Sequence, residues 1–242
     1  MNKNQENTSV NLFKNKFLRS SKIFTIPIHL VYLTLPYRDI HDLAWNKNVK
    51  GYTLSITTGI NRNTKQPYGI PYGAFARKLM YYTCTEAAKK KTRFIELGNS
   101  YKDAFEKLSI RAGKKAGGKS FQIFKEQILR LFHSRIELGF EHNVQSLNAK
   151  AGFTEFLNLA DKIAFFSNND KFDFKISLSQ DFYNYIIYSH EQAQLIPFNN
   201  ATMNSFSNNP MLMDLYIFLN YKAYCANYSK NNLFVSYQEL FE

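Results

Sequence analysis

The sequence predicts an α+β fold built on a winged helix-turn-helix domain, and three observations carry that prediction. Helically spaced segments and β-branched, aromatic segments follow one another as helix, short strand, helix, helix and hairpin between residues 71 and 179. Between Ala88 and Lys125, eleven Lys or Arg stand against three Asp or Glu, a net +8 of the chain's +12. After Ser179 the pattern turns mostly helical. The expected organisation is therefore a polar tail (1–20), a winged-helix DNA-binding domain (21–178) and a mostly helical segment (179–242).

Each element has its own local reason. IFTIPIHLVYLTL (23–35) and YTLSITT (52–58) are rich in the residues that fill a pleated surface, with Pro27 pointing to an edge or a bulge in the first. GIPYG (69–73) is a turn, and Pro71 opens a helix that runs to about Lys90, where Lys89, Lys90 and Lys91 suit the negative end of the helix dipole. RFIEL (93–97) is a short strand stopped by Gly98-Asn99. Ser100 is the N-cap of a second helix, with Asp103 three residues on and Tyr101, Phe105 and Leu108 along one face. Ser120 starts a third helix whose inner stripe is Phe121, Phe124, Ile128, Leu131 and Phe132 and whose other face carries Gln122, Lys125, Leu129 and His133. Strands are expected at 136–142, 154–167 and 171–179, and helices at 180–189 and from Pro210 to about Ala226. Ser236 and Glu239 have capping-box spacing for one more helix.

Several function classes are disfavoured. No apolar run approaches the ~18–20 residues of a membrane span, and the polar first stretch has the wrong order for a secretory signal, so a cytoplasmic protein without membrane contact is expected. Cys84 and Cys225 are too few for a disulfide framework or a thiolate metal site. The five histidines (His29, His41, His133, His142, His190) are scattered and no catalytic grouping is suggested, so no metal, no cofactor and no enzymatic activity are expected. The bulk basicity is partly compositional, with 23 Lys to 8 Arg, but its clustering is what concentrates a phosphate backbone near one surface. Residues 171–242, by contrast, carry four basic against six acidic side chains.

Inside the basic cluster, GKKAGGKS (113–120) has the full spacing of a Walker A phosphate loop. Such a loop follows a buried strand, whereas YKDAFEKLSI before it has helical spacing. The useful physics survives without ATP. Glycines allow close approach, and free N–H groups at a helix start favour any anionic oxygen, a DNA phosphate included. Arg111, Lys114, Lys115 and Lys119 are the expected phosphate contacts, with Gly117, Gly118 and Ser120 supplying backbone or hydroxyl donors. Gln122 and Lys125 are the candidates for base edges, and Asn148 and Lys150, at a wing tip, for a minor groove or a phosphate. A solvated basic loop and a plain exposed helix face remain the bland alternatives at these positions.

Specific motifs then match a known family. LPYR (35–38), Trp45, SITTG (55–59), GIPYG followed by Arg77, CTEAAKKKTRFIELGNS (84–100), the Gly-Gly-Lys loop with EQILRLF (126–132), LSQDFY (178–183) and MDLYIFLNYK (213–222) resemble plasmid-encoded RepA-type replication initiators. Ala76 stands where that family usually has Pro, and the family continues well beyond the segment ending in SYQELFE, so the resemblance implies that residues 179–242 are the front part of a second winged-helix domain, truncated. The resemblance implies a bacterial plasmid protein with no catalytic site. Its expected partners are double-stranded DNA at a replication origin and a host initiator or helicase, with room for a homodimer. The alternative is a winged-helix transcriptional repressor or autoregulator of its own gene, and a P-loop ATPase is the third class.

Overall fold

The computed structural model describes residues 23–32, 34–49, 51–108, 110, 118–144, 149–167, 172–206, 208–229 and 235. The elements in order are β1 (Ile23–Pro27), α1 (His29–Tyr32), β2 (Ala44–Val49), β3 (Tyr52–Thr57), α2 (Gly73–Lys90), β4 (Phe94–Gly98), α3 (Tyr101–Lys107) and α4 (Gly118–His133). There follow β5 (Arg135–Val144), β6 (Ala149–Asn158), β7 (Ala160–Ser167), β8 (Phe172–Leu178), α5 (Gln180–Glu191), β9 (Leu195–Asn199), α6 (Asn200–Ser205) and α7 (Pro210–Ser229). The strands form three antiparallel sheets, ordered β1-β9, β2-β3-β5-β6 and β4-β8-β7. The α+β class predicted from the sequence holds.

Helix α2 is the centre of the molecule, and its composition explains why. Ala74, Ala76, Leu79, Met80, Tyr81, Tyr82, Cys84, Ala87 and Ala88 are all buried, so the helix is apolar on most sides rather than along one stripe. It stops at Lys91, which takes a left-handed φ of 50°. Two of the lysines before the stop are already engaged: Lys89 donates to the Ile23 carbonyl (2.8 Å) and Lys90 pairs with Glu86 (2.6 Å). The capping prediction at Ser100 is met, its Oγ accepting from the Asp103 N–H at 3.0 Å while Asp103 accepts from the Asn99 N–H at 3.3 Å. Gly98, at φ 118°, permits that turn, because a Cβ there would lie 2.7 Å from the Asp103 Cβ.

Three local expectations are corrected. The strand expected over 23–35 ends at Pro27, which cannot donate to a ladder, and α1 follows it, with the Val31 N–H bonded to the Ile28 carbonyl at 3.0 Å. The single strand expected over 154–167 is two strands that belong to different sheets. Its break is at Leu159, a buried corner whose carbonyl accepts from the Ser179 N–H (3.1 Å), while the Ser179 hydroxyl donates to the Asn158 carbonyl. The helix expected from Ser120 starts at Gly118. Strands β2 and β9 and helix α6 carry too little local pattern to be anticipated, and the capping-box spacing at Ser236 and Glu239 lies outside the described residues.

The segments on either side of Ser179 share a sheet and a core. β1 pairs with β9, Thr25 facing Pro197, and Phe198 packs edge-on against Phe24 and Tyr81. The deepest link is ionic: Arg77 of α2 meets Asp214 of α7 through Nε (2.8 Å) and Nη2 (2.7 Å). The same guanidinium donates to the carbonyls of Leu35 (2.5 Å), Pro36 (3.0 Å) and Gly73 (3.0 Å) and lies under the Tyr37 ring at 5.1 Å. One arginine thus ties LPYR to MDLY, motifs some 180 residues apart in the chain. Lys78, one position on and also buried, donates to Asn208 at 3.1 Å, adding a second tie to the start of α7.

Candidate nucleic-acid interface

Helix α4 has 16 residues, about 24 Å of axis at 1.5 Å per residue. Its inner stripe, Phe124, Ile128, Leu131 and Phe132, is buried as the spacing predicts. At its start the helix is braced by rings. Phe121 stacks on Tyr101 (centroids 4.7 Å apart) and packs on Phe105 (5.2 Å), and Phe124 meets Phe105 edge-on at 5.1 Å and Phe75 at 6.2 Å. These contacts bind α2, α3 and α4 into one unit with aromatic geometry that fixes orientation as well as burial. The outer face is polar: Lys119, Gln122, Lys125 and His133 are exposed, and Ser120, Glu126 and Leu129 are half-buried. Glu126, the acid on that face, is held by Arg130 at 2.5 Å, which leaves the face with net positive character.

The far half of α4 is gripped by the segment between β3 and α2. The buried Gln127 accepts from the Tyr72 N–H at 2.9 Å. Arg130 makes a two-pronged bond to Asp39 (2.7 and 2.9 Å), donates to the Ile70 carbonyl (3.1 Å) and faces the Tyr72 ring at 5.1 Å. Burial works against its charge, but Asp39 and Glu126 more than offset that and raise its pKa. Gly69 sits at φ 93°, where a Cβ would fall 2.6 Å from Arg130 Nη1. Gly59 is as tight, since a Cβ there would fall 2.2 Å from the His133 carbonyl oxygen. Tyr68 stacks on the His133 ring at 4.3 Å and 10°, and burial followed by the nearby charge of Arg62 lowers the His133 pKa. The glycines of SITTG and GIPYG therefore let the chain close around the end of α4.

Sequence reasoning located part of this. Gly118 opens α4, and Lys119, Gln122 and Lys125 come together on its exposed face with Ser120 beside them. Arg111, Lys114, Lys115, Gly117 and Asn148 lie outside the described residues. Lys150 is on β6 opposite Asn143 of β5. That hairpin extends the β2-β3 sheet, whereas the hairpin that pairs with β4 is β7-β8. The clamp residues Asp39, Gly59, Tyr68, Gly69 and Arg130 were not anticipated as parts of the site. Glycines in two recognisable motifs flank one short segment, but nothing local in the sequence joins that segment to α4. Among the described residues, no group of three or more His, Cys, Asp or Glu is placed to hold a metal ion, and no helix is long and apolar enough to cross a membrane.

This α+β arrangement is similar to a solved class of protein domain. The crystal structure of domains 2 and 3 of RctB superposes with a TM-score of 0.51 at 9% identity, covering 80% of this chain and 70% of that one. A second structure of RctB domains 2–3 covers 66% and 58% at 8% identity with a TM-score of 0.43. At such identity the likeness is one of fold. No individually curated protein matches the sequence. A family model described as plasmid encoded RepA protein matches residues 70–238, well over half of the 242 residues, and the chain belongs to that family.

Proposed function

We propose that the chain is a plasmid replication initiator that binds duplex DNA at the plasmid origin through a winged-helix unit, with α4 as its recognition helix. The observation that carries the reading is the order α2, β4, α3, α4, closed by the β7-β8 hairpin in a β4-β8-β7 sheet, with the polar face of α4 turned outward. Membership in the RepA family supports the same reading. In it the wing is the β7-β8 hairpin, and Lys150 stands on the separate β5-β6 hairpin. Lys119 and the N–H groups at the start of α4 hold a backbone phosphate, joined by Arg111, Lys114, Lys115 and Gly117 of the preceding basic stretch of sequence. Gln122 and Lys125 then face base edges, Gln suiting adenine and Lys guanine. The protein acts by binding and recruitment in the bacterial cytoplasm, without catalytic chemistry of its own.

The test is a footprint and salt titration on the DNA flanking the gene. Lys119→Ala is expected to weaken binding alike across sequences and to reduce the salt slope by about one. Gln122→Ala is expected to cost about 1–3 kcal/mol at one base pair and to relax specificity there. A loss of nucleotide binding in Lys119→Ala, with DNA binding intact, would instead favour an ATPase. Failure to support replication of a plasmid carrying the bound site, with binding intact, would mark a repressor.

Protein contacts, with a second copy or with a host initiator or helicase, are assigned to the C-terminal segment. Met211, Leu212 and Leu219 of α7 are large apolar side chains left exposed there. Leu212→Ser with Leu219→Ser is expected to lower the mass measured by sedimentation if the partner is a second copy. An unchanged mass moves the assignment to a host factor.

A further inference from the structure

We propose that the closed loop formed by residues 60–67 is a second phosphate-contacting element, seated at the opposite end of α4 from Lys119; the inference rests on the DNA-binding reading above. The loop, INRNTKQP, is a small ring sealed by a bridge between Ile60 and Pro67. Inside it the Asn61 N–H donates to the Gln66 carbonyl (2.9 Å) and the Lys65 N–H to the Asn61 carbonyl (2.8 Å). The Asn61 side chain accepts from the N–H groups of Asn63 (2.9 Å) and Thr64 (3.2 Å). A ring bonded in this way presents its side chains in a set geometry before any partner arrives, which reduces the ordering cost of binding.

What it presents is charge. Arg62 and Lys65 are both exposed, the loop holds no acid, and neither cation has an acidic partner among the described residues. Lys65 also occupies a left-handed backbone conformation, φ 60°, that Gly or Asn takes more readily. A lysine at such a position retains its side chain against the local backbone preference.

The loop cannot drift away from α4. Gly59 on one side of it lies against the last turn of the helix, and Tyr68 on the other stacks on His133 at 4.3 Å. Burial first, and then the nearby charge of Arg62, hold the His133 pKa below its ordinary value. Distance then decides what the loop can meet. The helix axis of about 24 Å is roughly twice the ~12 Å width of a major groove. A helix in the groove with Lys119 against one phosphate wall therefore brings its far end over the other strand. Arg62 and Lys65 are the cations waiting there, so the two ends of α4 are fastened to the two walls.

The experiment measures duplex binding by fluorescence anisotropy across a salt series, using the full chain, the DNA flanking the gene and an unrelated duplex. Arg62→Ala with Lys65→Ala is expected to lower the slope of log K against log salt by about two, at roughly 0.9 per phosphate contact. Affinity should fall by similar factors on both duplexes, leaving their ratio unchanged. Lys65→Gly relieves the backbone without removing the loop, so it should keep or raise Tm while still lowering the slope by about one. Wild-type binding that survives Arg62→Glu with Lys65→Glu at unchanged affinity and slope overturns this inference alone. Absence of wild-type duplex binding at every salt concentration overturns the reading of α4 and this inference with it.

Discussion

Arg77→Met is expected to lower the unfolding free energy by about 3–5 kcal/mol, the range seen when one partner of a buried ion pair is removed. The side chain is 2% exposed and its partner Asp214 9% exposed, so neither group can recover hydration by a small movement. Burial pushes the Asp214 carboxyl up from its ordinary value, and the charge and hydrogen bonds of Arg77 act against that rise. Without Arg77 the carboxylate keeps the burial and loses the larger part of the compensation, with only Lys47 and the Tyr81 hydroxyl left to offset it. The Leu35 carbonyl loses its donor in the same step, which adds the cost of a buried acceptor left without a partner, whereas the Pro36 carbonyl keeps the Gly73 N–H at 3.0 Å. Asp214→Asn should cost less, because it leaves the carbonyl bonds in place while the guanidinium loses its counter-charge. The double variant Arg77→Met with Asp214→Leu should recover part of the loss, since replacing both charges by apolar groups removes the uncompensated ion but not the bare Leu35 carbonyl. Urea denaturation followed by circular dichroism measures all three. A loss below about 1 kcal/mol in Arg77→Met would show that the motifs LPYR and MDLY are held together by something other than this guanidinium.

That pair also shows where the reach of the sequence ended. Helices α2, α3, α4 and α5 were legible because their information is local: apolar residues at spacings of three and four, Ser100 with Asp103 at a start, Lys89 and Lys90 at an end. The break at Leu159 was not, because alternation carries through it, with Leu157 and Leu159 both buried on the same phase while the strand changes sheets. β1 finds its partner β9 only after some 170 residues, and no periodicity in either five-residue strand announces the pairing. The site divides along the same line. The outward face of α4 could be read as the complement of its apolar stripe. Its clamp could not, because Gly59, Gly69 and Asp39 meet α4 only in space, and a glycine kept for lack of room looks in sequence like one kept for a turn.

Gly59→Ala tests whether that clamp sets the position of α4, and a large effect is expected from a single methyl. The new Cβ would sit 2.2 Å from the His133 carbonyl oxygen and 2.8 Å from the His133 Cβ. The first of these is a main-chain atom at the end of a helix, so no rotamer change can make room. Either the last turn of α4 or the end of β3 must shift. β3 is held between β2 and β5 by ladders on both sides, which makes the helix end the part that yields. Overpacking of this kind costs about 1–3 kcal/mol of stability. On the proposed reading, duplex binding should fall further than the lost stability explains, because the shift moves Lys119, Gln122 and Lys125 relative to the Arg62 loop on the other wall of the groove. Thermal denaturation and anisotropy titrations at a temperature where the variant is fully folded separate the two effects. Lys119→Ala is the comparison, because it removes one exposed phosphate contact without touching the packing. A Gly59→Ala protein that keeps both wild-type stability and wild-type DNA affinity would mean that the close contact with His133 is relieved at no cost, and that the end of α4 has no part in setting the interface.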